Sequence, residues 1–182
     1  MKQHGPWKIV SSEVKYKNPW IEVREDKVIQ PDGTPGIFGT LKIKPGVAVL
    51  PLDEKGFVYL VKEFHYAVGS TIETSVGGID KGENPLQAAK RELKEELGIT
   101  ASSFTSLGKV EPLTTYVNCP VYLFLCRGLK FSKPTHDVNE SITPLKVKFS
   151  KAVEMAMDGK IIAAAPLALI LKANEYLKRH KR

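Results

Sequence analysis

The chain has 182 residues, 42% of them hydrophobic, which suffices for a buried core in one large domain or in a domain with a small extension. No apolar run approaches the roughly 20 residues of a membrane span and Met1-Lys2-Gln3-His4 reads as no secretory signal, so a cytoplasmic protein with no membrane partner is expected. The net charge of +7 would attract polyanions, but the only dense basic run, Lys178-Arg179-His180-Lys181-Arg182, reads as a frayed solvated tail, which makes nucleic acid a weaker expectation than a phosphorylated small molecule. Cys119 and Cys126 make neither a disulfide framework nor a zinc site, and Cys126, in an apolar run, reads as core.

Trp7-Lys8-Ile9-Val10 and Trp20-Ile21-Glu22-Val23-Arg24 alternate apolar with polar residues. Pro31-Asp32-Gly33 supplies the turn for a hairpin returning from Gly36 to Leu41. Residues 1–44 therefore read as a small antiparallel sheet, which needs something to pack on, and residues 45–182 as the main domain. Within the latter, Val47 to Leu52 and Phe57 to Val61 are apolar runs joined by the turn Asp53-Glu54-Lys55-Gly56, and both are expected as central strands. Lys62-Glu63-Phe64-His65-Tyr66 follows, and Ile72-Glu73-Thr74-Ser75-Val76 leads into the segment on which the chain is organised.

That segment runs from Gly77 to Ile99. Asn84 suits an N-cap, Pro85 the first helical position and Gly98 the left-handed residue past the helix end. At helical spacing Leu86, Ala89, Leu93 and Leu97 share the inward face, Glu92, Glu95 and Glu96 cluster beside it, and Lys90, Arg91 and Lys94 gather opposite. One reading is a solvated amphipathic helix whose acids pair with its own cations. The other is a site for a hard divalent cation, since Mg²⁺ or Mn²⁺ takes carboxylate oxygens and is commonly shared with a substrate's phosphates.

Gly77, Glu83, Arg91, Glu92, Leu93, Glu95, Glu96, Gly98 and Ile99 fill every fixed position of the pattern G-x5-E-x7-R-E-U-x-E-E-x-G-U, with U a bulky aliphatic residue, and the segment so resembles the Nudix box. The resemblance implies an α/β fold, the Nudix α/β/α sandwich with a mixed sheet, carrying here a small N-terminal antiparallel sheet. It implies metal-assisted hydrolysis of a nucleoside diphosphate linked to another group, with Mg²⁺ as cofactor and Mn²⁺ as a substitute. By position, Glu92, Glu95 and Glu96 correspond to metal ligands, as does the main-chain carbonyl of Val76, with Glu83 in support. Arg91 corresponds to the arginine that holds a glutamate and fixes the loop on the helix.

The N-terminal part resembles the ADP-ribose and nucleotide-sugar branch, whose extension packs across a homodimer. Trp20 and Phe38 stand where that branch sandwiches the base, although each also reads as an ordinary sheet aromatic. His65 replaces an arginine common there and reads either as a substrate contact or as a polar residue at a strand end. Glu73 matches the glutamate of Glu-x-Pro-Ala-Gly and is a candidate for substrate hydroxyls, while Ser75 and Val76 replace the proline and alanine.

Phe104 to Pro112 and Val121 to Gly128 read as two further strands, and Tyr116 between them reads as pocket lining or as loop packing. Residues 131–139 read as a loop, and Glu140 best matches the branch's catalytic glutamate, with Asp137 as the fallback. A strand over Leu145 to Phe149, a helix capped by Ser150 and ending at Met157, and an amphipathic helix over Ala164 to Leu177 complete the chain. The resemblance thus implies water activated at the cation, with Glu140 or a box glutamate such as Glu95 as base, releasing a nucleoside monophosphate and a sugar phosphate. Hydrolysis of another diphosphate, a dinucleotide or a damaged nucleoside triphosphate, and a non-catalytic nucleotide-binding module are the alternatives.

Overall fold

The computed structural model describes residues 1–135 and 142–180. In chain order the first elements are β1 (Lys2–His4), β2 (Trp7–Lys17), β3 (Ile21–Ile29), β4 (Pro35–Ile43), β5 (Gly46–Pro51), β6 (Phe57–His65), β7 (Gly69–Glu73) and β8 (Ser75–Gly78). There follow α1 (Pro85–Leu97), β9 (Ile99–Val110), β10 (Val117–Asn118), β11 (Val121–Phe131), β12 (Thr143–Lys148), α2 (Phe149–Met157) and α3 (Ala164–Arg179). Contacts divide the chain into two units, Met1–Pro45 with Glu111–Pro120, and Gly46–Val110 with Val121–Arg182.

In the first unit β1 to β4 form an antiparallel meander, and β10 joins its edge parallel to β4, with Val117 opposite Leu41. The β3–β4 hairpin turns where Pro31-Asp32-Gly33 stands: Gly33 takes a left-handed φ of 88°, and Gln30 N donates to Thr34 O at 2.8 Å. The Asp32 side chain fixes the turn by accepting from Thr34 N. Trp20 was expected inside a strand, but the Asn18 carboxamide accepts from the amides of both Trp20 and Ile21, a turn that delays the start of β3 to Ile21.

The second unit holds a mixed four-stranded sheet in the order β8-β5-β11-β9, with β5 and β11 parallel and the other pairs antiparallel, beside a three-stranded sheet β12-β6-β7. Every residue of β5 is buried, so both of its faces are covered. Val47 and Val49, with Phe124 and Cys126 from β11, make one core with Ala88, Ala89, Leu93 and Leu97 of α1. Strand alternation turns Ala48 and Leu50 to the other face. There α3, burying Leu169, Ile170 and Ala173, packs on β5, β11 and β9. The result is a mixed sheet between helices, the α/β/α arrangement.

Several local expectations change. Leu86 is exposed and Ala88 is buried in its stead, so the inward face of α1 is rotated slightly from the one that hydrophobicity alone selects. Ser150 does not cap α2: the helix begins at Phe149 after Lys148, and no side chain caps it. Strand β9 begins at Ile99, immediately after Gly98, rather than at Phe104. Lys178 and Arg179 are not a frayed tail but the last turn of α3, where Arg179 Nε pairs with Glu175 at 2.7 Å.

Candidate active site

The box is built around Arg91, which lies among the carboxylates rather than opposite them. Its Nε and Nη2 grip the two oxygens of Glu83 at 2.9 and 3.0 Å, and Nη1 reaches Glu92 at 2.7 Å and Glu95 at 3.0 Å. Nη2 also donates to the Gly78 carbonyl at 2.8 Å. The bonds to Glu83 above all, then those to Glu92 and Glu95, push the guanidinium pKa further above its ordinary value, so Arg91 carries a fixed charge. Glu83 in turn accepts from Asp80 N at 2.9 Å and so closes the loop before the helix.

Helix α1 starts where the sequence indicates, with a reciprocal cap in which the Asn84 side chain accepts from Gln87 N and the Gln87 side chain accepts from Asn84 N. The two box glycines are required for space. A methyl group at Gly77 would overlap the Glu92 carboxylate, which lies directly against the strand. Gly98 takes a left-handed φ of 62°, and a methyl group there would collide with the main chain of Ser132, Lys133 and Pro134. That stretch is tied to the helix end: Ser132 N donates to Gly98 O at 2.7 Å and Thr135 N to Glu95 O at 2.9 Å.

The donor set fits a hard divalent cation in kind. It consists of oxygen ligands only, it is held on a rigid helix, and it includes Glu96, a carboxylate only 5% exposed. The small cradle at Gly77 brings the Glu92 carboxylate against β8, where Val76 stands between Ser75 and Gly77 opposite Ala48. In this arrangement Arg91 engages Glu92 and Glu95, and among the described residues no three His, Cys, Asp or Glu side chains are gathered as a ligand group.

His65 and Glu73, separate candidates in the sequence, meet each other across the β6–β7 hairpin. His65 Nε2 lies 2.9 Å from Glu73 Oε1, which also accepts from Thr71 Oγ1 at 2.6 Å, and Glu63 stands 3.8 Å from the same ring nitrogen. Glu73 is thus buried with partners, and it orients the imidazole. Glu140 and Asp137 lie outside the described residues.

The first unit holds a cavity of about 670 Å³, a volume suited to a small ligand. Phe38 lines it with Trp7 and Tyr116, their ring centroids 5.5 and 5.9 Å from that of Phe38. Asp26, Glu111 and Thr40 add polar groups to the wall. Trp20 does not line this cavity and is 71% exposed. Next to it in sequence, Ile21 pairs with Ile43, five residues along β4 from Phe38, about 17 Å at strand rise. The two aromatics expected to sandwich one base are therefore apart on this sheet. Trp7, not among the expected site residues, lines the cavity with Ile9, which its alternation in the sequence puts on the same face of β2.

Both cysteines are free thiols. Burial pushes the Cys126 thiol up to about 12, and burial, with the nearby Glu111 charge, raises that of Cys119.

The NUDIX domain model matches residues 42–148, and the nucleoside diphosphate sugar hydrolase N-terminal domain model matches residues 7–41. The chain is 27% identical over 179 residues to the ADP-ribose pyrophosphatase of Bacillus subtilis, covering 96% of this chain and 97% of the relative. It is 25% identical over 175 residues to the ADP-ribose pyrophosphatase of Mycobacterium tuberculosis, covering 94% and 84%. Among solved structures, the crystal structure of an ADP compounds hydrolase superposes with a TM-score of 0.84 over the full length of both chains at 21% identity, which establishes the shared fold. With its box intact at every fixed position and its fold matched throughout, the chain belongs to the NUDIX family and is a pyrophosphohydrolase.

Proposed function

We propose that the chain hydrolyses the diphosphate bond of ADP-ribose or a related nucleotide sugar, releasing a nucleoside monophosphate and a sugar phosphate. The observation that carries the chemistry is the Arg91 lock, which holds Glu83, Glu92 and Glu95 together at the strand that ends in Gly77 and Gly78. Glu92, Glu95 and Glu96 with the Val76 carbonyl would hold Mg²⁺, or Mn²⁺ in its place, and Glu83 keeps the loop closed. When bound, the cation supplies charge neutralisation of the diphosphate and a more acidic water.

The protein's own part is to position groups and move a proton. Arg91, with its charge fixed, holds Glu83, Glu92 and Glu95 in place by hydrogen bonds. A carboxylate, Glu140 or Glu95, takes the proton of the attacking water. His65, oriented by Glu73, contacts the substrate together with that glutamate. In the first unit the cavity walled by Phe38, Trp7 and Tyr116 supplies aromatic surface of the kind a base stacks on. The first unit also leaves Val10, Val14, Tyr16, Trp20 and Ile37 exposed, which supports a homodimer in which Trp20 faces a partner chain or its ligand.

The test is phosphate-ester release from ADP-ribose, other nucleotide sugars, dinucleotides and nucleoside triphosphates with Mg²⁺, comparing wild type with Glu96→Gln. Turnover of ADP-ribose or a nucleotide sugar that falls by about 100-fold or more in Glu96→Gln is expected, the scale of losing a designed electrostatic contact. Absence of turnover on any diphosphate, with either cation, would remove the substrate assignment. Preference for a dinucleotide or triphosphate would redirect it within the family.

A further inference from the structure

Ser75 is wholly buried, and its hydroxyl has no hydrogen-bond partner among the described residues. Such a group costs stability unless something satisfies it. Its direction follows from the sheet: Ser75 is the cross-strand partner of Val49, and Gly77 is the partner of Val47. Residues paired in this way share a face, and Val47 and Val49 both belong to the core beneath α1. The Ser75 side chain thus points toward α1, as does the open side of Gly77 against which the Glu92 carboxylate lies. Glu96 follows Glu92 one turn along the same helix and is buried, so a partnerless hydroxyl stands on the strand facing a helix that carries two largely buried acids.

We infer that Ser75 is a positioning residue of the cation site: its hydroxyl accepts a hydrogen bond from a water that the cation keeps and donates one to a box carboxylate. The inference rests on the proposed divalent-cation reading. Mg²⁺ and Mn²⁺ give up their waters reluctantly, and those waters need acceptors among the surrounding groups. A serine there fulfils that role, whereas the proline of the resembling branch has no hydroxyl to offer. Thr74, whose hydroxyl is also buried without a partner among the described residues, lies at the bend between β7 and β8, outside the ladder that sets the direction of Ser75.

The experiment is a titration of the full chain with Mn²⁺ in the absence of substrate, followed by the electron paramagnetic resonance signal of free Mn²⁺. It compares wild type, Ser75→Ala, Ser75→Cys and Glu96→Gln, with melting temperatures recorded with and without the ion. Wild type binds, Glu96→Gln binds poorly, and both serine variants bind at least about tenfold more weakly, the lower end of what outer-shell partners contribute. The melting temperature of ion-free Ser75→Ala equals or exceeds that of wild type, because an unsatisfied group has been removed, while its gain on adding Mn²⁺ shrinks. Ser75→Cys keeps the shape of serine with a weakly bonding thiol, and it reports the same loss should the alanine variant fail to fold. Serine variants that bind as wild type does would overturn this inference alone. A wild type that binds no Mn²⁺ would overturn the cation reading, and this inference with it.

Discussion

Arg91 hydrogen-bonds three carboxylates and a main-chain carbonyl with one planar fork, a geometry that lysine's single point charge cannot reproduce. Opposite it, Gly77 acts through what it lacks, because the Glu92 carboxylate occupies the space of a β-carbon. Gly77→Ala is therefore expected to displace Glu92 and lower Mg²⁺-dependent turnover by about 10- to 100-fold while the circular dichroism spectrum is retained, with steady-state kinetics as the check. These positions were legible because each is fixed by its spacing from the others along one short segment. Trp20 was less so: the alternation around it is a strand's, and only the Asn18 side chain, accepting from two successive amides, decides that the strand starts one residue later. The pairing of His65 with Glu73 was likewise hidden: the register sets His65 opposite Gly69 and Glu73 opposite Val61, and only side chains reaching toward each other along the two strands bring them together.

Among the elements, α1 was the most legible because both its ends are written in local chemistry: a reciprocal cap at Asn84 and a left-handed glycine at Gly98. Gly98 is also where residues 132–135 return to the helix, so its demand for space is tertiary as well as conformational. Gly98→Ala is expected to destabilise the fold by about 1–2 kcal/mol from the left-handed backbone alone, and by more from the collision, which thermal denaturation would register as a drop of several degrees. Strand β5 was legible for another reason, an unbroken apolar run that only a doubly covered strand requires. The start of α2 was not, because Lys148 precedes it without a side-chain cap and Ser150, a good cap by type, already lies inside the helix.

For the whole molecule, charge and composition indicated little beyond a globular chain with an anionic partner, and the family resemblance carried the rest. The proposed homodimer would cover exposed apolar residues of the first unit. Light scattering at micromolar protein is expected to give twice the 20.2 kDa chain mass, and a monomer mass would contradict the homodimer. The division into units does not follow chain order, since the first unit is completed by Glu111–Pro120, which supplies β10 and the Tyr116 wall of the cavity. During synthesis on the ribosome, β1 to β4 emerge before β10, so Leu41 and Lys42 on the edge of β4 wait unpaired until the segment past the box has been made. The N-terminal sheet is thus translated ahead of β10 but cannot be completed before it, and a nascent chain stalled between Gly46 and Val110 would lack the β10 pairing at Leu41 and Lys42.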